Sequence, residues 1–176
     1  PPGTHLTHPT LLCAVRGSTG HGALGRNALR GRELWSGMSP LKTDAMPGHW
    51  EFTYGEERVK ELIKGLGFPF LALNIRDTEW NEPAFEAMKM FERGGVKVAV
   101  LGQAFPYTPV ANPRWLMPKS SFGIREHDVL AQRDKARKSG AHTAVLLSNN
   151  GLGRAPTRAT LAPAARCHTS RHPPPP

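Results

Sequence analysis

The 176-residue chain carries a formal charge of +9, which taken alone would suggest an anionic partner such as a nucleic acid. Most of that excess lies at the two ends, because residues 47–150 hold 14 basic and 12 acidic side chains, and the basic residues 151–176 contain no aromatic side chain that could stack on bases. No apolar run approaches the roughly 20 residues that span a bilayer, and the two cysteines, Cys13 and Cys167, form neither a metal-binding spacing nor a disulfide framework.

Residues 1–46 and 151–176 are predicted to be disordered. The first segment is rich in Gly, Arg, His, Thr and Leu, without the periodicity of a helix or a strand. The second has only Leu152 and Leu161 as large apolar residues and ends in four prolines, so it cannot offset an ordering entropy of about 1–2 kcal/mol per residue. The chain begins without an initiator Met and without the pattern of a signal peptide, and we expect it to be a fragment.

Residues 47–150 show the pattern of an α/β domain, in which helices alternate with short apolar strands. Apolar side chains at helical spacing, followed by glycine, predict two helices, over 56–66 and 127–139. Short apolar runs predict three buried strands, over 69–75, 96–101 and 143–147.

The segment 85–93 is ambiguous by its residues alone. Helix propensity favours a helix, whereas the connection through Gly94 and Gly95 into the next strand favours a β-hairpin.

Three segments contain side chains that could carry chemistry. His49 in 48–55 presents an imidazole, the commonest nitrogen ligand of transition metals, although a loop histidine packed on aromatic residues explains the same pattern. The loop 102–115 follows a strand and is stiffened by three prolines, so it is either an ordinary surface loop or a ligand site, in which Arg114 could clamp a sulfonate or phosphate. Asn149, at a strand end, is either a turn residue or an oxygen ligand.

Four sequence strings in this middle region resemble the SoxB family of thiosulfohydrolases from bacterial sulfur oxidation, a branch of the 5'-nucleotidase-like metallophosphoesterases. They are GHWEFTYG (48–55), LNIRDTEW (73–80), GVKVAVLGQAFPYTPVANPRW (95–115) and FGIRE (122–126). The resemblance covers about 104 residues, and it favours the hairpin interpretation of residues 85–93.

The resemblance implies a sandwich of mixed sheets flanked by helices, of which this chain would hold a part. It implies two metal ions, commonly manganese, that release sulfate from a cysteine-bound S-thiosulfonate on a sulfur-carrier protein in the periplasm. His49 takes the place of a metal-binding Asn in relatives that read Gly-Asn-His-Glu, and Trp50 stands where their catalytic His would be. Arg114 and Tyr107 are the substrate-binding candidates.

The sequence also departs from the family pattern. The early Asp-x-His and Gly-Asp motifs are missing from 1–46, the later Gly-His-x-His motif is missing, and Asn149 replaces a ligand His. We therefore expect an incomplete metal centre without full activity, and we hypothesise that residues 1–46 and 151–176 are out-of-frame or mis-joined translation. The alternatives to the thiosulfohydrolase are a 5'-nucleotidase-type phosphoesterase and a basic nucleic-acid-binding protein.

Overall fold

A computed structural model describes residues 43–149 and 165–168. The prediction of disorder for 1–46 and 151–176 therefore lies largely outside the described residues. Eight strands, three α-helices and two 3-10 helices make up the described part. The strands are β1 (Met46–Pro47), β2 (Phe70–Leu71), β3 (Ile75–Asp77), β4 (Met88–Arg93), β5 (Val96–Gln103), β6 (Ser120–Phe122), β7 (Thr143–Ser148) and β8 (Ala165–His168). The helices are α1 (Glu56–Ile63), α2 (Thr108–Ala111) and α3 (Glu126–Lys138), and the 3-10 helices are Trp50–Tyr54 and Arg114–Leu116.

The largest sheet has the order β4-β5-β7-β8, with β4 antiparallel to β5 and the other pairs parallel. Two smaller pairs accompany it, a parallel β1-β2 and an antiparallel β3-β6. This combination of open mixed sheets and helices confirms the predicted α/β class.

Both faces of β5 are covered by other parts of the protein. Successive side chains of a strand point to opposite sides, so neighbouring residues of β5 pack against different partners. Ala99 and Leu101 pack with Val129 and Ala136 of α3. Val100, between them in the chain, packs instead with Leu71 of β2. The sheet therefore lies between α3 on one side and the β1-β2 layer on the other.

An aromatic cluster fills the second part of the core, beneath the 3-10 helix Trp50–Tyr54. Phe52 is fully buried, and its ring meets those of Phe122 at 5.0 Å, Phe85 at 5.8 Å and Phe70 at 6.4 Å in edge-on arrangements. Such pairs add about 0.5–1.5 kcal/mol each beyond the burial of their area. The GHWEFTYG segment is thus anchored through its phenylalanine.

The predicted helices are both confirmed, and α1 ends three residues earlier than expected, at Ile63. The ambiguous segment forms a hairpin, so the helix that propensity favours there is wrong. Gly94 and Gly95 have φ of 56° and 77°, which is the backbone of a two-residue hairpin turn whose twist matches the strands.

The strand predicted over 69–75 is wrong as a single element, because β2 and β3 are separated by a turn at 72–74. The Ile75 amide donates to the Ala72 carbonyl, and the Leu73 amide donates to the Gly102 carbonyl at 2.9 Å. The backbone leaves one sheet and enters another here, which the apolar run does not reveal. None of the described helices is long and apolar enough to cross a membrane.

Candidate functional site

Three strands end at one edge of the fold, and the predicted metal ligands His49 and Asn149 lie there. Gly48 follows β1, Ala104 follows β5, and Asn149 follows β7, whose Ser148 is in register with Gln103 of β5. Ligand sites of open α/β sheets occur at such carboxyl ends. The Gly48 carbonyl joins all three segments, since it accepts hydrogen bonds from the Asn149 Nδ2 at 3.2 Å and from the Phe105 amide at 3.1 Å.

His49 is buried, with 7% of its surface exposed. Its ring lies 5.2 Å from that of Phe105, so the packing on aromatic residues that the sequence allowed is present. Its backbone amide donates to the Glu51 carboxylate at 2.5 Å, which fixes the turn that carries the imidazole.

Glu51 is a site residue that the sequence analysis missed. Its side chain is 3% exposed, and burial raises the pKa of the carboxyl to about 7, although the backbone amides of Glu51 and His49 act in the opposite direction. The sequence shows only that an acidic residue stands between Trp50 and Phe52. That pattern does not tell whether the carboxyl is buried or lies on the surface.

Asn149 is also buried, and the structure brings it next to the His49 segment. Its backbone amide donates to the Gln103 carbonyl at 3.3 Å. The Nδ2 of Asn149 donates a hydrogen bond to the Gly48 carbonyl. The Oδ1 atom, whose lone pairs can accept, is therefore the side-chain atom that could coordinate a cation.

Asn74, in the LNIRDTEW string, is a second residue whose role was missed. It is fully buried. Its Nδ2 donates to the carbonyls of Ala104 at 3.0 Å and Gly123 at 2.8 Å, and its Oδ1 accepts from the Ala104 amide at 2.8 Å. These bonds hold the start of the loop after β5 against the loop before α3.

The two predicted substrate-binding residues lie in different surroundings. Tyr107 is 42% exposed, and its ring lies 5.6 Å from that of Phe105, so Phe105 connects it to His49. Arg114 instead lines a pocket of about 260 Å³ that contains none of His49, Phe105, Tyr107 or Asn149.

The described residues do not fit a complete two-metal centre. Within 43–149 and 165–168 there is no group of three or more His, Cys, Asp or Glu side chains that could hold a metal ion. His49 and Asn149 offer one nitrogen and one oxygen, whereas a two-metal site needs several carboxylate and imidazole ligands. No catalytic step through a metal follows from this arrangement.

Comparisons with known proteins show which proteins the chain is similar to. No protein-family profile matches the chain. The chain is 33% identical over 84 residues to a 5'-nucleotidase of Vibrio vulnificus, covering 47% of this chain and 15% of that protein. It is 28% identical over 153 residues to the snake venom 5'-nucleotidase of Naja atra, covering 83% of this chain and 28% of that protein.

Among solved structures, the sulfate thiohydrolase SoxB of Thermus thermophilus superposes with a TM-score of 0.71 at 35% identity, over 80% of this chain and 25% of that one. The chain thus spans between about a seventh and a little over a quarter of the length of these three proteins. Sequence and fold together support membership of the 5'-nucleotidase-like metallophosphoesterase superfamily, a group of metal-dependent hydrolases.

Proposed function

We propose that the chain represents part of a thiosulfohydrolase of the SoxB type, which releases sulfate from a cysteine S-thiosulfonate in thiosulfate oxidation. The observation that carries this proposal is the pair His49-Trp50 on the turn after β1, in place of the Asn-His pair of the nucleotidase branch. The 35% identity to the Thermus thermophilus SoxB supports it.

A 5'-nucleotidase-type phosphoesterase is the second candidate. The 33% identity to the Vibrio vulnificus enzyme favours it. The side chain at position 50 argues against it, because an indole donates one hydrogen bond and cannot act as the proton-transferring imidazole that the nucleotidase chemistry uses.

In the proposed site, His49 is a metal ligand and Asn149 occupies the position of a family ligand His. Tyr107 and Arg114 bind the substrate. The metal of the whole protein is manganese by family, and this chain holds an incomplete centre. The partner is a sulfur-carrier protein with a cysteine-bound thiosulfonate, and the location is the periplasm.

A comparison of ligands tests the substrate class. A synthetic peptide with a cysteine S-thiosulfonate and AMP are titrated separately into the 176-residue chain with Mn²⁺ present, and binding is followed by isothermal titration calorimetry. We expect the thiosulfonate peptide to bind at least about ten-fold more tightly, a difference of about 1.4 kcal/mol.

The same peptide with an unmodified cysteine is the matched control, and it should bind more weakly because it lacks the sulfonate. Tighter binding of AMP would favour the nucleotidase instead. Equal binding of the modified and unmodified peptides, or no binding of either ligand, would contradict the proposal.

A further inference from the structure

The pocket that contains Arg114 lies beside the β3-β6 pair. It has a volume of about 260 Å³ and is lined by Thr78, Pro109, Arg114, Met117, Ser120, Ser121 and Phe122. We call it the Arg114 pocket. Met117 and Phe122 belong to the apolar core or pack against it, and they line the pocket together with Arg114.

The donors of the Arg114 pocket suit an anion with several oxygen atoms. The Arg114 guanidinium is always charged, offers five N–H groups in a planar fork, and forms no salt bridge with another residue of the described ranges. Arg125 Nη2 donates to the Ser121 Oγ at 3.1 Å. Since that oxygen already accepts a hydrogen bond, its own proton is available to a ligand oxygen.

Two carboxylates in adjoining parts of the chain, those of Asp77 and Glu56, accept hydrogen bonds from groups other than Arg114. Asp77 pairs with Ser120 across the two strands, but its Oδ1 accepts the amides of Glu79 at 2.7 Å and Trp80 at 3.0 Å. Glu56 accepts from Lys60 Nζ at 3.0 Å and from the Lys119 amide at 3.2 Å. Neither carboxylate lines the pocket, and Arg114 is the charged residue among its lining residues.

We propose that the Arg114 pocket binds a small tetrahedral oxyanion such as sulfate, phosphate or a terminal sulfonate. Arg114 supplies a bidentate contact, and the Ser121 hydroxyl donates to one of the remaining oxygens. The inference deepens the substrate-binding role proposed for Arg114, but it requires no metal and does not involve His49 or Asn149.

The test is a titration of the 176-residue chain, kept metal-free with a chelator, with thiosulfate, sulfate and phosphate at constant ionic strength. Amide shifts of Thr78 and 114–122 should move saturably, whereas chloride should leave them unchanged. Arg114→Gln should weaken binding by about ten-fold, the loss of one charge-assisted contact, and Ser121→Ala should weaken it by a smaller factor.

Arg137→Gln is the matched control, because this exposed arginine lies on α3, outside the pocket. It should change the Kd by less than about two-fold, as a screened surface charge does. Thermal unfolding of each variant confirms that the fold is intact, and Arg114→Lys, which keeps the charge but not the fork, should bind with intermediate strength.

Non-saturating shifts, or equal losses from Arg114→Gln and Arg137→Gln, would overturn the proposal. The thiosulfonate peptide serves as a second arm. If Arg114→Gln weakens peptide and free anion alike, the pocket receives the terminal group of a substrate, and if it weakens only the free anion, the pocket holds a separate small ion. Because the anion titration is metal-free, its result stands apart from the comparison of AMP with the thiosulfonate peptide.

Discussion

Single side chains connect the three segments of the candidate site. The Asn149 amide and the Phe105 backbone converge on the Gly48 carbonyl, and Asn74 fixes the loop after β5 by three hydrogen bonds. Each of these groups is buried, so losing a partner would leave a polar atom unsatisfied at a cost of about 1–3 kcal/mol. The arrangement around His49 is therefore set by the backbone and by amide side chains rather than by opposite charges.

Glu51 makes the stability of the metal-free protein depend on pH. Burial raises its folded-state pKa from 4.5 to about 7, so the folded state binds a proton more tightly than the unfolded state does. The stabilisation is complete below pH 4.5 and is lost as the pH rises through 7. The free energy of unfolding should fall by an amount on the order of 3 kcal/mol over this window.

Urea unfolding at a series of pH values, with a chelator present, measures this dependence. Glu51→Gln keeps an oxygen that can accept the His49 amide but does not titrate, so its unfolding free energy should change much less across the same window. A profile for the variant as steep as that of the original chain would assign the pH dependence to other groups.

Among the structural elements, β5 connects several parts of the fold. It pairs with β4 and β7 within the sheet, and its Val100 side chain packs with Leu71 of β2. The closest approach is at Gly102, where an added Cβ would lie 2.2 Å from the Leu71 Cβ and 2.3 Å from the Leu71 carbonyl oxygen. Glycine is needed at this position because two backbones meet there.

We expect Gly102→Ala to lower the free energy of unfolding by about 3 kcal/mol or more, since the overlap involves backbone atoms that cannot rotate away. Chemical denaturation measures the change. Gly67→Ala is the control, because a Cβ at Gly67 meets nothing within 4 Å, and it should change stability by less than about 1 kcal/mol. Similar losses for both variants would show that the packing against Leu71 is not the cause.

For the molecule as a whole, the candidate site lies along one edge of the described ranges. The edge has the strand ends, the His49 turn and the proline-rich loop, but the described residues contain no group of three His, Cys, Asp or Glu ligands. The fold superposes on a quarter of the Thermus thermophilus SoxB chain.

Metal analysis of the purified chain, after dialysis against Mn²⁺, should therefore find well under two ions per molecule. Asn149→His should raise the affinity for Mn²⁺, because it adds an imidazole beside the His49 segment. Asn112→His, at another buried asparagine in the loop after β5, is the control and should have no effect. Two tightly held manganese ions in the original chain would refute the prediction of an incomplete centre.

The sequence predicted the periodic elements well and the irregular ones poorly. Helices α1 and α3 and strands β5 and β7 follow from the spacing of their apolar residues and from glycine at their ends. The segment 85–93 shows the limit, since local propensity favoured a helix, and pairing with β5 across the Gly94-Gly95 turn decided otherwise. The Gly94-Gly95 connection and the resemblance to a known family, rather than helix propensity, pointed to the hairpin.

By itself, the sequence determined the α/β class and the departures from the family's ligand pattern, and it indicated three loop segments as candidates for the chemistry. Only the tertiary structure decided which of those segments meet. It brought Asn149 to the turn of His49, buried Glu51 beside them, and assigned Arg114 to a different pocket from Tyr107. The physical reason is that periodicity reports which face of an element is apolar, whereas a site is built from loops whose proximity depends on strand order and register.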